Sequence, residues 1–220
     1  RQHHLRLRAK SDHTPTGIDG QEGYITSALL VLLALLMGFT FALAVDRFET
    51  RRELVLTEAN AIGTAYLRTQ LLPPPHRDRI TGILRAYVDH RIAFATAKPA
   101  QARAMVAEND RQVTDLWAAT AAAFPAIKGL DFSSAYIDSI NAVIDSDEAR
   151  KASRQAKVPS EVFLVLFIYI IITSGSLGYT VSGARGLVAA GVLQFLILLS
   201  LMMTLDIDRP TDGGIVETQG

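Results

Sequence analysis

The chain has 220 residues, with 22 basic and 22 acidic side chains, 49% hydrophobic residues and no cysteine. Zero net charge argues against a nucleic-acid binder, which carries a basic excess, and the hydrophobic content argues against disorder. Without cysteine there are no disulfide frameworks, thiol nucleophiles, cysteine zinc sites or iron–sulfur clusters.

Residues 1–23 open with RQHHLRLRAKSDHTPTGIDG, a polar stretch with glycine and proline that reads as a linker. Three stretches then hold no Asp, Glu, Lys or Arg: Gly23–Val45, Val162–Ala184 and Gly186–Leu205. A bilayer-spanning helix needs roughly 20 apolar residues. Core helices of that length without a charge are rare, and this chain is too short to wrap three of them. The stretches are therefore read as membrane helices. The first is too long for a signal peptide and runs into Asp46-Arg47-Phe48-Glu49 without a small-residue cleavage site.

The membrane helix at 24–45 has no stop signal, so the expected element continues to about residue 72. Pro73-Pro74-Pro75 halts it, because proline lacks the N–H and clashes with the preceding turn. Tyr24–Leu72 would be about 73 Å long at 1.5 Å per residue, against a hydrocarbon core of about 30 Å. A helical soluble region is expected over 76–157. Its first helix spans His76–Lys98, with Ile80, Ile83, Leu84, Tyr87, Val88 and Ile92 on one face. The next starts at Pro99 and ends near Phe124, with Met105, Val106, Val113, Leu116 and Trp117 as its apolar side; Pro125 and Gly129 break it. Asp131 or Ser133 caps the third, which carries Tyr136, Ile137, Ile140, Val143 and Ile144 and is interrupted near Asp145-Ser146-Asp147-Glu148.

Pro159 opens a membrane helix at 159–182, as proline is tolerated in a first turn. Ser182–Gly186 contains two glycines and favours a tight turn into a third membrane helix at 186–205. A tail follows at 206–220. The hairpin puts residues 46–160 and the tail on one side of the bilayer. Arg47, Arg51, Arg52, Arg150, Lys151, Arg154, Lys157 and Arg209 flank the spans on that side. Arg6, Arg8, Lys10 and Arg185 flank them on the other. The imbalance favours a cytoplasmic middle region. The fold class is an all-α integral membrane protein.

Glu53, Thr57, Asn60, Thr64 and Arg68 recur at helical spacing on one face. They suit a permeation path or subunit contact, and equally a solvated face. Ala59 and Gly63 form a small-xxx-small pair that permits close helix approach. Tyr169, Thr173, Ser176 and Thr180 make a hydroxyl row within a membrane span; it suits an aqueous path or, more often, bonds to backbone and neighbouring helices. Gln194 in the last span should find an interhelical partner. Asp206, Asp208 and Arg209 at the end of that span suit ion pairing, or cation binding by paired carboxylates.

The five histidines lie outside the uncharged stretches, which leaves a membrane haem unsupported. No HExxH, GxSxG or phosphate-binding glycine loop occurs. No catalytic residue, metal site or cofactor is expected, and no enzyme activity. Uncharged spans also disfavour a proton pump or voltage sensor.

Several strings carry a resemblance. They are Gly38-Phe39-Thr40, Arg47 to Arg52, and Glu58-Ala59-Asn60-Ala61-Ile62-Gly63-Thr64-Ala65-Tyr66-Leu67-Arg68. Leu71-Leu72-Pro73, Arg85-x-Tyr87, Arg91 and Asp208-Arg209-Pro210 complete the set. With these the chain resembles the bacterial bestrophin-like membrane proteins over most of residues 24–215. The resemblance implies two membrane helices, a long cytoplasmic helical region and two more membrane helices, so a fourth membrane helix is expected upstream of residue 1. It singles out Arg51, Arg52, Glu58, Asn60, Gly63, Tyr66, Arg68, Asp208, Arg209 and Pro210. It also implies a pentameric anion channel with the Tyr24–Leu72 helix along the pore, in the bacterial inner membrane. With so even a charge balance, anion attraction would come from the placement of Arg51, Arg52 and Arg68. The expected partners are the lipid bilayer and further copies of the chain. The alternative is a non-conducting scaffold or accessory subunit of a larger membrane complex. A lipid-modifying enzyme is a remote third reading.

Overall fold

The computed structural model describes residues 17–95, 97 and 99–208. Most of the linker, together with Arg209, Pro210 and the rest of the tail, lies outside these residues. Six helices follow in order: α1 Gly17–Thr69, α2 Pro74–Ala95, α3 Pro99–Ile127, α4 Ser133–Gln155, α5 Ser160–Thr180 and α6 Ala184–Asp208. Among the described residues there is no strand. Three of the helical stretches are long and apolar enough to cross a membrane.

The described residues divide into two compact units, one within 17–40 and 159–202, the other within 41–158 and 203–208. The first unit holds the front of α1, α5 and most of α6. Leu33, Met37, Leu166 and Ile170 are buried together, with Leu36, Phe163, Tyr169, Ile197 and Leu201 against them. Around this small core the surface is apolar: Phe167, Ile171, Val192, Phe195 and Met202 are all exposed. In water each such side chain would forgo about 1.5–3 kcal/mol of burial. In lipid the exposure costs nothing, and helices apolar on every face are those of a membrane bundle. Between α5 and α6 the chain reverses at Gly183, whose φ of +82° is left-handed. Helix α6 starts at Ala184, ahead of the expected Gly186, so Arg185 sits in its first turn.

In the second unit α2 packs on α3 and α3 on α4. The core joins Ala65 and Leu72 with Ile80, Leu84 and Tyr87, with Leu116, Ala119, Ala123 and Ile127, and with Tyr136, Ile140 and Val143. Helix α1 closes in a tight turn, where the amides of Gln70, Leu71 and Leu72 reach carbonyls three residues back. Pro74 and Pro75 then lie inside α2, which begins at Pro74 and not at His76. The first helical turn has no use for their missing N–H groups.

Three further expectations are corrected in this unit. Pro125 does not break α3, which runs on to Ile127. The proline removes one amide near the helix end, while Ala123 and Ile127 are fully buried there and Lys128 N–H still reaches Phe124 O at 2.9 Å. Asp145–Glu148 does not interrupt α4. Ser146 Oγ donates to Ala142 O, and Asp147 is buried among partners. Neither Asp131 nor Ser133 caps α4: the cap position is Phe132, with no side-chain bond.

Candidate functional site

The apolar stripes of the second unit end in charge. On α1 the inward positions Arg51, Glu58 and Ala65 follow a seven-residue spacing that Leu72 continues in the turn after the helix, all buried. On α2 they run Ile80, Leu84, Tyr87 and Arg91, and on α4 they run Tyr136, Ile140, Val143, Asp147 and Arg150. Helix α3 places Asn109 at 1% exposure. One end of the helical core is thereby ionic.

The groups meet closely. Tyr87 Oη donates to Glu58 Oε1 at 2.5 Å, with Asp147 Oδ1 farther off at 3.3 Å. Arg91 Nη2 donates to Glu58 Oε2 at 3.1 Å, and its Nη1 lies 3.3 Å from Asn109 Oδ1 and 3.4 Å from Asp147 Oδ1. Arg150 Nη1 donates to Glu58 Oε2. Asn109 Nδ2 spans both Asp147 oxygens at 2.9 and 3.0 Å. Lys151 Nζ closes the outer side, 2.7 Å from Asp147 Oδ2, 2.6 Å from Asp110 Oδ1 and 2.8 Å from Glu148 Oε1. Burial, followed by the charge of Glu58, pushes the Tyr87 hydroxyl well above its ordinary range, with Arg91 opposing. Burial alone would lower the Lys151 ammonium, but its bonds to Asp110, Asp147 and Glu148 outweigh this and raise it. Two buried carboxylates face two buried arginines, so the knot is neutral at its centre, and at its edge Lys151 is shared with Asp110 and Glu148.

Beside it runs a groove of about 580 Å³ between α1 and α2, lined by Ala59, Ile62, Gly63 and Tyr66 on one side and by Val88 and Ile92 on the other. Glu58, Arg91 and Arg150 also line it. A side chain added at Gly63 would meet nothing within 4 Å.

The residues singled out from sequence separate into groups. Glu53, Thr57, Asn60, Thr64 and Arg52 are exposed on α1. Arg68 belongs to the fold, donating to Ala135 O in the first turn of α4. Arg51 Nη2 donates to Ile207 O at 3.0 Å, a cation at the α6 C-terminus. Asp208 is buried, and its two oxygens accept the Val158 N–H at 3.1 and 3.3 Å. Tyr66 Oη accepts from Arg85 Nη2 at 3.1 Å. In the membrane unit Ser176 Oγ lies 2.7 Å from Thr26 Oγ1, Thr180 Oγ1 donates to Ser176 O at 3.1 Å, and Tyr169 packs on the small core. Thr173 Oγ1 is buried without a partner. Arg209 and Pro210 lie outside the described residues.

Asn109, Asp147 and Arg150 carry the knot and were not singled out as site residues. Their register is the signal: each continues an apolar stripe inward where a solvated charge would fall outward.

An all-α chain with three helices fit to cross a bilayer, and a helical unit holding a buried ionic knot, is a membrane protein with a built non-membrane part. A family model for the Bestrophin-like domain matches residues 3–216, and the chain belongs to this bestrophin-like family. Neither the curated proteins nor the solved structures contain a match.

Proposed function

We propose that the protein is a homo-oligomeric anion channel of the bacterial inner membrane, with residues 46–160 on the cytoplasmic side. Membership of the bestrophin-like family, which includes anion channels, supports the reading. The observation that carries it is α1. This single helix is uncharged over Gly23–Val45 and then presents Glu53, Thr57, Asn60 and Thr64 on an exposed face. One copy of such a helix encloses nothing. Several copies around an axis, five by analogy, would turn those polar faces into the wall of an aqueous path. Of the three arginines named for anion attraction, Arg51 and Arg68 hold backbone carbonyls, which leaves Arg52 as the exposed one, on α1 to the side of that polar face. The role is transport and not catalysis.

The test is purified protein, confirmed as an oligomer, in a planar bilayer under a potassium chloride gradient. The current should reverse near the chloride equilibrium potential, and Arg52→Glu should move it toward that of potassium. Silent bilayers from assembled oligomer, or a monomer in detergent, refute the reading. One observation favours a scaffold instead: Leu56, Leu67 and Leu71 are exposed on or just after α1 beyond its uncharged stretch, at 59%, 69% and 60%. A stoichiometric second protein co-purifying from native membranes would support that alternative.

A further inference from the structure

Arg91 and Arg150 do not use all their donors in the knot. Arg91 Nε and Arg150 Nη2 are buried and have no hydrogen-bond partner, in residues only 6% and 4% exposed. A buried cationic donor left unpaired is costly, and such a group calls for an explanation. Both arginines line a cavity of about 210 Å³ among α2, α3 and α4, together with Lys151, Arg154 and Phe94. Four cations therefore reach it; among the described residues no carboxylate lines it, and Asp110, Asp147 and Glu148 hold Lys151 from outside the lining. The Arg154 guanidinium is held at the wall, 4.6 Å over the Phe94 ring. The larger groove is lined by the same two arginines but also by Glu58 and Asp89, which would repel an anion.

We propose that the smaller cavity is a binding site for a phosphoryl anion, held by Arg91, Arg150 and Arg154 with Lys151 as a point charge. Planar guanidinium forks match the oxygens of a phosphate, and an ammonium serves phosphate as a compact charge. Lys151 already holds Asp110, Asp147 and Glu148, so room for added negative charge comes from Arg91 and Arg150, each of which keeps a donor unpaired. Lys151 stays protonated through neutral pH, since its three carboxylate partners raise it. The volume lies below the range of about 300–1,000 Å³ that suits drug-sized ligands, which selects a compact group: inorganic phosphate, a small phosphate ester, or a lipid phosphomonoester headgroup. The site is independent of whether the protein conducts.

The experiment is calorimetric titration of the full chain in detergent with inorganic phosphate, at ionic strength fixed with sodium chloride. Saturable binding is expected. Gln155→Glu sets a carboxylate at the wall of the cavity on an exposed residue, so it should fold normally and weaken binding by ~10-fold or more. Arg154→Ala should do the same, while Arg111→Ala, on an arginine outside the cavity's lining, should change nothing. A second arm uses vesicles with phosphatidic acid against phosphatidylcholine alone. Capture by phosphatidic acid that Gln155→Glu abolishes, without binding of free phosphate, assigns the phosphoryl group to a headgroup. No binding in either arm, or binding indifferent to both Gln155→Glu and Arg154→Ala, overturns the proposal.

Discussion

Glu58 and Glu53 lie on the same helix five residues apart, yet their substitutions should differ sharply. Glu58 is 2% exposed and holds Tyr87, Arg91 and Arg150 at once. Glu58→Gln keeps the shape and removes the charge, leaving two buried arginines against one carboxylate. Breaking one side of a buried ion pair costs about 3–5 kcal/mol. Exposed Glu53→Gln should stay within about 0.5 kcal/mol. Thermal unfolding of both variants in the same detergent, followed by circular dichroism, reads the difference; equal midpoints would mean the knot contributes nothing. Tyr87 adds a pH dependence whose sign is fixed by its raised pKa. Above about pH 10 an unfolded tyrosine gives up its proton while the buried one keeps it, so the unfolded state binds fewer protons and stability falls as pH rises. One such proton gives a slope of at most about 1.4 kcal/mol per pH unit. Lys151 contributes in the same direction at similar pH. Tyr87→Phe should therefore lower stability at pH 7, by about 1.5–3 kcal/mol for a lost bond to a charged acceptor. It should also flatten the decline between pH 9.5 and 11. Parallel curves for wild type and variant across that range would remove Tyr87 as a source.

At the scale of elements, composition and punctuation carried far. Uncharged stretches located the apolar helices, because a bilayer demands length and absence of charge and little else. The glycine pair between the last two spans announced a turn, and its geometry shows why both are needed. Gly183 has φ of +82°, and a Cβ at Gly186 would stand 2.6 Å from Val181 Cγ1. Gly183→Ala should cost about 1–2 kcal/mol from the left-handed backbone alone. Gly186→Ala should destabilise by a clash that Val181→Ala relieves, so the pair should be non-additive by more than about 0.5 kcal/mol in a double-mutant cycle. An additive cycle would place the strain elsewhere. What the sequence did not disclose is what tertiary packing decided. Pro125 stays helical because buried Ala123 and Ile127 hold its turn, and Asp145–Glu148 stays helical because Asp147 has partners on other helices. Glu58 and Arg150 are 92 residues apart; the sequence shows each charge but not that they meet. The inward register of Asp147 and Arg150 was visible, and it marks a buried charge without naming its partner.

At the scale of the whole molecule, one chain meets two solvents, and equal exposure does not mean equal environment. Leu196 on α6 is 53% exposed and Leu67 on α1 is 69% exposed. Burial alone ranks both as surface leucines, and on a soluble protein either would accept arginine at little cost. Their surroundings differ. Leu196 sits near the middle of an uncharged stretch in a unit whose outer surface is Leu, Ile, Val, Phe and Met, whereas Leu67 is followed by Arg68 in the unit that carries the ionic knot. If the first surface faces lipid, Leu196→Arg must place a charge at mid-span, at about 2.5–3.5 kcal/mol on insertion scales. Leu67→Arg should then change stability and membrane insertion by less than about 0.5 kcal/mol. Membrane fractionation and glycosylation-reporter insertion of the two variants separate the cases. Insertion of Leu196→Arg as efficient as that of Leu67→Arg would contradict a lipid-facing α6 and, with it, the assignment of the apolar unit to the bilayer.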